Sequence, residues 1–134
     1  MAAALDLTAT LRTNQEQAGG PEMHADGKID YVEFPGKDMA ATKAFYAQAF
    51  GWSFTDYGPD YAAFEGQGTD GGFNAEDGRA FPLVVLFASD LEAMQARVTT
   101  AGGRITREIM SFPGGRRFHF RDPSGNELAV WSDS

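Results

Sequence analysis

The stretch DMAATKAFYAQAFGW, from Asp38 to Trp52, decides the fold. Asp38 stands where a helix N-cap belongs, because its carboxylate can accept a hydrogen bond from a free amide of the first turn. Thr42, Phe45, Tyr46, Ala49 and Phe50 then recur at helical spacing, and Gly51 supplies the stop. A second stretch, SDLEAMQARVTTAGG from Ser89 to Gly103, has the same design. Ser89 and Glu92 have capping-box spacing and Asp90 opens the helix. Leu91, Met94, Val98 and Ala101 form its expected buried stripe, and Gly102 ends it.

Working outward, each helix is preceded by one strand and followed by three. IDYVEFP (Ile29 to Pro35) and PLVVLFA (Pro82 to Ala88) are the leading strands, rich in β-branched and aromatic residues. WSFTDY, YAAFEG and DGGFNAE follow the first helix, punctuated by Gly58–Pro59 and by GQGTDGG at Gly66 to Gly72. GRITREIM, GGRRFHF and NELAVWS follow the second, with turns at Pro113 to Gly115 and at DPSG, Asp122 to Gly125. The order is therefore βαβββ twice, in repeats 28–76 and 81–132. One such unit cannot bury both faces of its sheet, so two should share a single domain, 28–134. The expected fold is α+β: a curved mixed sheet, one helix per repeat on one face, and a concave cup on the other. Residues 1–27, rich in Ala, Thr, Gln and Gly, read as a flexible tail, with Met23 as an alternative start.

Composition narrows the functions. The 134 residues are 43% hydrophobic and 22% charged, with a net charge of -8 and a pI near 4.6. Nucleic acid and anionic membrane surfaces both require a basic face, so neither is expected as a partner. With no cysteine, disulfides, thiolate nucleophiles and Cys-ligated metals are excluded. The absence of cysteine fits a reducing compartment, and cytoplasmic is the default expectation. No apolar run approaches the roughly 18 residues of a membrane span. No Gly-rich phosphate loop, paired-His motif or nucleophile elbow is present. The two histidines are His24, in the expected tail, and His119.

Three motifs carry a family resemblance: Phe45–Tyr46 followed by Phe50–Gly51–Trp52, the AGG that ends the second helix, and the closing DPSGNELAVW from Asp122 to Trp131. In that order and spacing, over Lys28 to Ser132, the chain resembles the vicinal oxygen chelate superfamily of glyoxalases, bleomycin-resistance proteins and extradiol dioxygenases. It looks most like the small glyoxalase-related, predicted lactoylglutathione-lyase-related members. The resemblance implies a cup-shaped site and a homodimer, but fold alone transfers no activity.

In metal-dependent members, His, Glu or Gln side chains from several strands hold a divalent metal. Carried over one at a time, the first-strand ligand position falls on Tyr31, seven residues before Asp38. The fifth-strand position falls on Val84, six before Asp90. The last-strand Glu position falls on Ala129, seven after Asp122. A neutral Tyr is a poor ligand, and Val and Ala have no lone pair. No metal or other cofactor is therefore expected. Glu127 shares Ala129's face but lies about 7 Å away along the strand, so a displaced divalent-metal site from Glu33, His119 and Glu127 is the alternative.

With those positions marking the cup face, period-2 alternation assigns the rest. Tyr31 and Glu33, Val84, Leu86 and Ala88, and Glu127, Ala129 and Trp131 point inward. Phe118 and Phe120 point to the core, so Arg117, His119 and Arg121 share the other face. The expected ligand-binding residues are Tyr31, Arg117, Glu127, Trp131, Val84 and Leu86, an apolar floor with a few convergent polar groups. Arg117 can fork onto a carboxylate or phosphate, Trp131 can stack on a ring, and His119 or Glu33 can act as acid or base.

Three functions fit. The first is a metal-independent protein that binds a small anionic or aromatic metabolite. The second is a lyase or isomerase acting on a small carbonyl compound through His119 or Glu33. The third is an interaction module whose cup is closed by side chains.

Overall fold

The computed structural model describes residues 24–134. Their elements are β1 (Ile29–Pro35), α1 (Met39–Phe50), β2 (Phe54–Asp56), β3 (Tyr61–Phe64), β4 (Gly71–Asn74), β5 (Leu83–Phe87), α2 (Leu91–Thr100), β6 (Arg104–Phe112), β7 (Gly115–Arg121) and β8 (Glu127–Ser132). This is βαβββ twice. The eight strands hydrogen-bond in the order β2-β3-β4-β1-β5-β8-β7-β6, a mixed open sheet. The β5–β8 pair is parallel and the hairpin pairs are antiparallel, as the βαβββ connectivity requires.

The chain divides into two compact units, one of Glu33–Phe81 and one of His24–Val32 with Pro82–Ser134. One division falls inside β1, between Val32 and Glu33, and the other between Phe81 and Pro82, ahead of β5.

In the first unit, Asp38 caps α1 by accepting from the Ala41 amide at 3.1 Å, and Gly51 closes it at φ 75°. That left-handed conformation is open to glycine at no steric cost. The core is aromatic. Phe73 lies opposite Ala62 across β3–β4 and packs on Phe34, Tyr46 and Phe64 with ring centroids 5.2–5.6 Å apart. Trp52 stacks on Tyr46 at 4.7 Å and meets Phe64 at 4.6 Å. The expected α1 stripe is corrected in part. Met39, Thr42, Lys43 and Tyr46 turn inward, whereas Phe45 and Phe50 are 56% and 63% exposed.

In the second unit, α2 lies on a core of Ala88, Leu91, Phe118, Phe120 and Val130, joined by Leu86, Met94, Val98 and Leu128. Asp90 is the N-cap, accepting from Ala93 at 3.0 Å. Ser89 instead donates its amide and hydroxyl to Asp26 at 2.7 and 3.0 Å. Gly27 donates to the Phe87 carbonyl at 2.8 Å. Residues 24–27 are thus bonded into this unit and do not belong to a tail. The rest of the expected tail lies outside the described residues. At the other end, Asp122 holds the DPSGN turn by accepting from the Ser124 and Asn126 amides, both at 2.9 Å.

Candidate functional site

The site is built on the face of the second unit turned away from α2. Antiparallel partners share a face, and the β7–β8 register sets Ala129 opposite His119, Trp131 opposite Arg117 and Glu127 opposite Arg121. The expected grouping of these six residues is what the register gives. The parallel β5–β8 pair sets Val85 beside Ala129 and Phe87 beside Trp131.

That last register corrects the floor. Val84 and Leu86 pair with Leu128 and Val130, on the α2 side. Leu86 packs into the helix-covered core, and so does Ala88. Leu83 and Val85 take their place, forming a buried apolar cluster with Ala129 against which Tyr31 and Trp131 pack. The run Leu83-Val84-Val85-Leu86-Phe87 is apolar on both faces, as a strand buried on both sides must be, so alternation could not orient it.

Polar groups flank this floor. His119 is fully buried, and its Nδ1 lies 3.4 Å from Glu127 Oε2, long for a hydrogen bond. The same Glu127 oxygen accepts from the Thr106 hydroxyl at 3.0 Å. The Arg117 guanidinium stands over the Phe112 ring, 5.8 Å from its centroid, within cation–π range. Phe112 in turn approaches Trp131, centroid to centroid 6.4 Å. Glu33 is 4% exposed and falls in the other unit.

Several members of this face were not foreseen. From β6, Arg107 pairs with His119 and Met110 with Arg117. Arg104 stands opposite Arg121, an arrangement of like charges that disfavours the bare pair. The β6 register shifts between Ile105 and Arg107 and again before Met110, which breaks the period on which a sequence reading relies. His24 also joins, stacked on Phe87 at 4.8 Å and edge-on to Trp131 at 5.2 Å. Asp30 accepts from both rings, from Trp131 Nε1 at 2.8 Å and at His24 Nδ1 at 2.9 Å. No periodic signal leads to a histidine in a loop before the first strand.

The chemistry of this face is therefore an apolar floor, a rank of aromatic rings and a set of arginines. Metal coordination fits it poorly: Leu83, Val85 and Ala129 offer no donor atoms. Among the described residues, no three His, Cys, Asp or Glu side chains form a group able to hold a metal ion.

A family profile described as the Glyoxalase/Bleomycin resistance protein/Dioxygenase superfamily matches residues 28–130. The chain belongs to that superfamily. Among curated relatives, the anthracycline biosynthesis proteins DauV of Streptomyces sp. (strain C5) and DnrV of Streptomyces peucetius are each 32% identical over 130 residues. The match takes in 80% of this chain and 47% of theirs, so the chain spans about half their length. Among solved structures, the Mn(II)-bound glyoxalase from Novosphingobium aromaticivorans is 29% identical with a TM-score of 0.63, over 83% of this chain and 40% of that one. Methylmalonyl-CoA epimerase from Mycobacterium tuberculosis shares the fold at TM-score 0.64 and 14% identity, over 86% and 93% of the two chains. No helix among the described residues is long and apolar enough to cross a membrane.

Proposed function

We propose that this superfamily member binds a planar, anionic aromatic metabolite on the face of β5 to β8, without a metal. The observation that carries the reading is the buried trio Leu83, Val85 and Ala129, an apolar floor that offers a metal ion no donor atom. Trp131 packs against that floor, Phe112 approaches Trp131, and Arg117 stands over Phe112. An aromatic ligand gains from stacking on the rings, and its acidic group pairs with a guanidinium fork. DauV and DnrV, as anthracycline biosynthesis proteins, support a polycyclic aromatic metabolite as the ligand class.

The test is thermal unfolding of chelator-treated protein with 2-hydroxy-1,4-naphthoquinone, an acidic bicyclic probe. A ligand at 100 times its Kd stabilises by about 2.7 kcal/mol through mass action. The reading expects a concentration-dependent rise in Tm that Arg117→Ala largely removes. No rise for the unaltered protein, or an equal rise for the variant, sinks it.

One observation favours a second reading, a lyase or isomerase on a small carbonyl compound. The His119 imidazole faces the Glu127 carboxylate, the pairing by which a carboxylate orients a catalytic base. Full burial of His119 weighs against it, because a base must reach the proton it takes. Exchange of α-protons of a small ketone into deuterated water, lost in His119→Gln, would favour this reading over binding alone.

A further inference from the structure

We propose that His24 is a second polar anchor of the β5 to β8 face, binding a hydroxyl of the aromatic ligand at the end opposite its acidic group. The inference rests on the reading of that face given above and narrows its ligand class to hydroxylated aromatic acids. All the residues concerned belong to the second unit.

The geometry fixes the chemistry of the His24 ring. Asp30 accepts from Trp131 Nε1 through one carboxylate oxygen, at 2.8 Å, and meets His24 Nδ1 with the other, at 2.9 Å. An ionised carboxylate only accepts hydrogen bonds, so Nδ1 carries the proton and the neutral ring keeps its lone pair on Nε2. Phe87 stacks on the imidazole at 4.8 Å and Trp131 meets it edge-on at 5.2 Å. The ring is therefore fixed in tautomer and in orientation. Among the described residues the Asp30 contact is the one hydrogen bond of this side chain, which stays 23% exposed. Bracing the loop does not account for the histidine, because Asp26 and Gly27 already tie that loop to Ser89 and Phe87.

The strand registers place the anchor. Phe87, Trp131 and Arg117 lie side by side on β5, β8 and β7. His24 covers Phe87 at one end of this row, and the Arg117 guanidinium stands at the other, over Phe112. Two strand spacings separate the backbones at the two ends, about 10 Å. Two fused rings laid on Trp131, with an acidic group at one end and a hydroxyl at the other, match that span. The acidic group takes Arg117, and the hydroxyl donates to Nε2 of His24.

The test is calorimetric titration of the full chain, unaltered and as His24→Phe, with 2-naphthoate and with 6-hydroxy-2-naphthoate. Phenylalanine keeps a ring to stack on Phe87 and removes both nitrogens. One hydrogen bond to the ligand hydroxyl corresponds to about fivefold in Kd. The expected result is that gain for the hydroxylated acid on the unaltered protein and no gain on the variant. Imidazole NMR of the unaltered protein gives a readout that does not depend on the variant folding. The nitrogen resonances of His24 should shift with 6-hydroxy-2-naphthoate and stay in place with 2-naphthoate. Equal affinities of the two acids for the unaltered protein, or a gain that survives in His24→Phe, would overturn the inference and leave the reading of the face intact. Binding of neither acid would sink that reading, and this inference with it.

Discussion

Trp131, near the C-terminus, donates its indole N–H to Asp30 of the first strand at 2.8 Å. The same carboxylate meets His24 at 2.9 Å, so one acidic group fixes two rings at the edge of the proposed site. Hydrogen bonds to a charged group contribute about 1.5–3 kcal/mol, and an orphaned donor costs its desolvation. Asp30→Ala is expected to lower stability in urea by about 1–3 kcal/mol. Asp30→Asn keeps an acceptor for the indole and should lose less. Equal losses for the two variants would show that the carboxylate does not hold the indole.

The corrected β5 register separates floor from core. Leu83 is fully buried, and removing such a side chain costs about 2–5 kcal/mol. Leu83→Ala and Val85→Ala should lower both stability and response to the naphthoquinone probe. Leu86→Ala, on the α2 side, should lower stability and leave the affinity of the folded fraction unchanged. Affinity lost in Leu86→Ala but kept in Val85→Ala would restore the register expected from the sequence.

The DPSGN turn predicts a pH dependence. The side chain of Asn126 donates to Asp122, as do the backbone amides of Asn126 and Ser124, and together they hold the Asp122 carboxyl below its ordinary value. A carboxyl whose folded pKa is lowered binds fewer protons folded than unfolded. Its contribution is therefore present above its unfolded value, about 3.9, and is lost as pH falls through the lower folded value. Asp122→Asn should have a lower Tm than the unaltered protein at pH 7, and the gap should close in strong acid. A gap that persists unchanged below pH 3 would contradict this cause.

Packing at the β7–β8 edge gives a steric prediction. A Cβ at Gly115 would run into the carbonyl oxygen of Ser132, which is backbone and cannot step aside. Gly115→Ala should lower Tm and disturb β7–β8 pairing at that end, seen as faster amide exchange of Arg116 and Ser132. An unchanged Tm would mean that the strands are not so closely apposed.

Most of the fold was legible because its punctuation is local. Asp38, Gly51, Asp90 and Asp122 act within a few residues of their own positions, and each does what its spacing suggests. The polar-apolar alternation of Arg117, Phe118, His119, Phe120 and Arg121 likewise fixed both faces of β7. Four things were not legible. Leu83 to Phe87 is apolar on both sides, so its orientation depends on the partner strand. The Arg107 and Met110 positions follow from irregular register in β6. His24 is recruited by stacking on Phe87 across the fold, a contact that no local pattern announces. The outward turn of Phe45 is a fourth case, since helical spacing permits it to lie on either flank of the Thr42–Tyr46 stripe.

The central claim is metal-free binding of an aromatic anion beside Trp131. It is tested most directly by Trp131 emission in a Trp52→Phe background, in which one indole remains. Chelator-treated protein is titrated with 2-hydroxy-1,4-naphthoquinone, then again with added Mn(II). The account predicts saturable quenching at one probe per chain, the same in both titrations, with the Kd raised tenfold or more by Arg117→Ala, about 1.4 kcal/mol. Quenching that appears only after Mn(II) is added would contradict it.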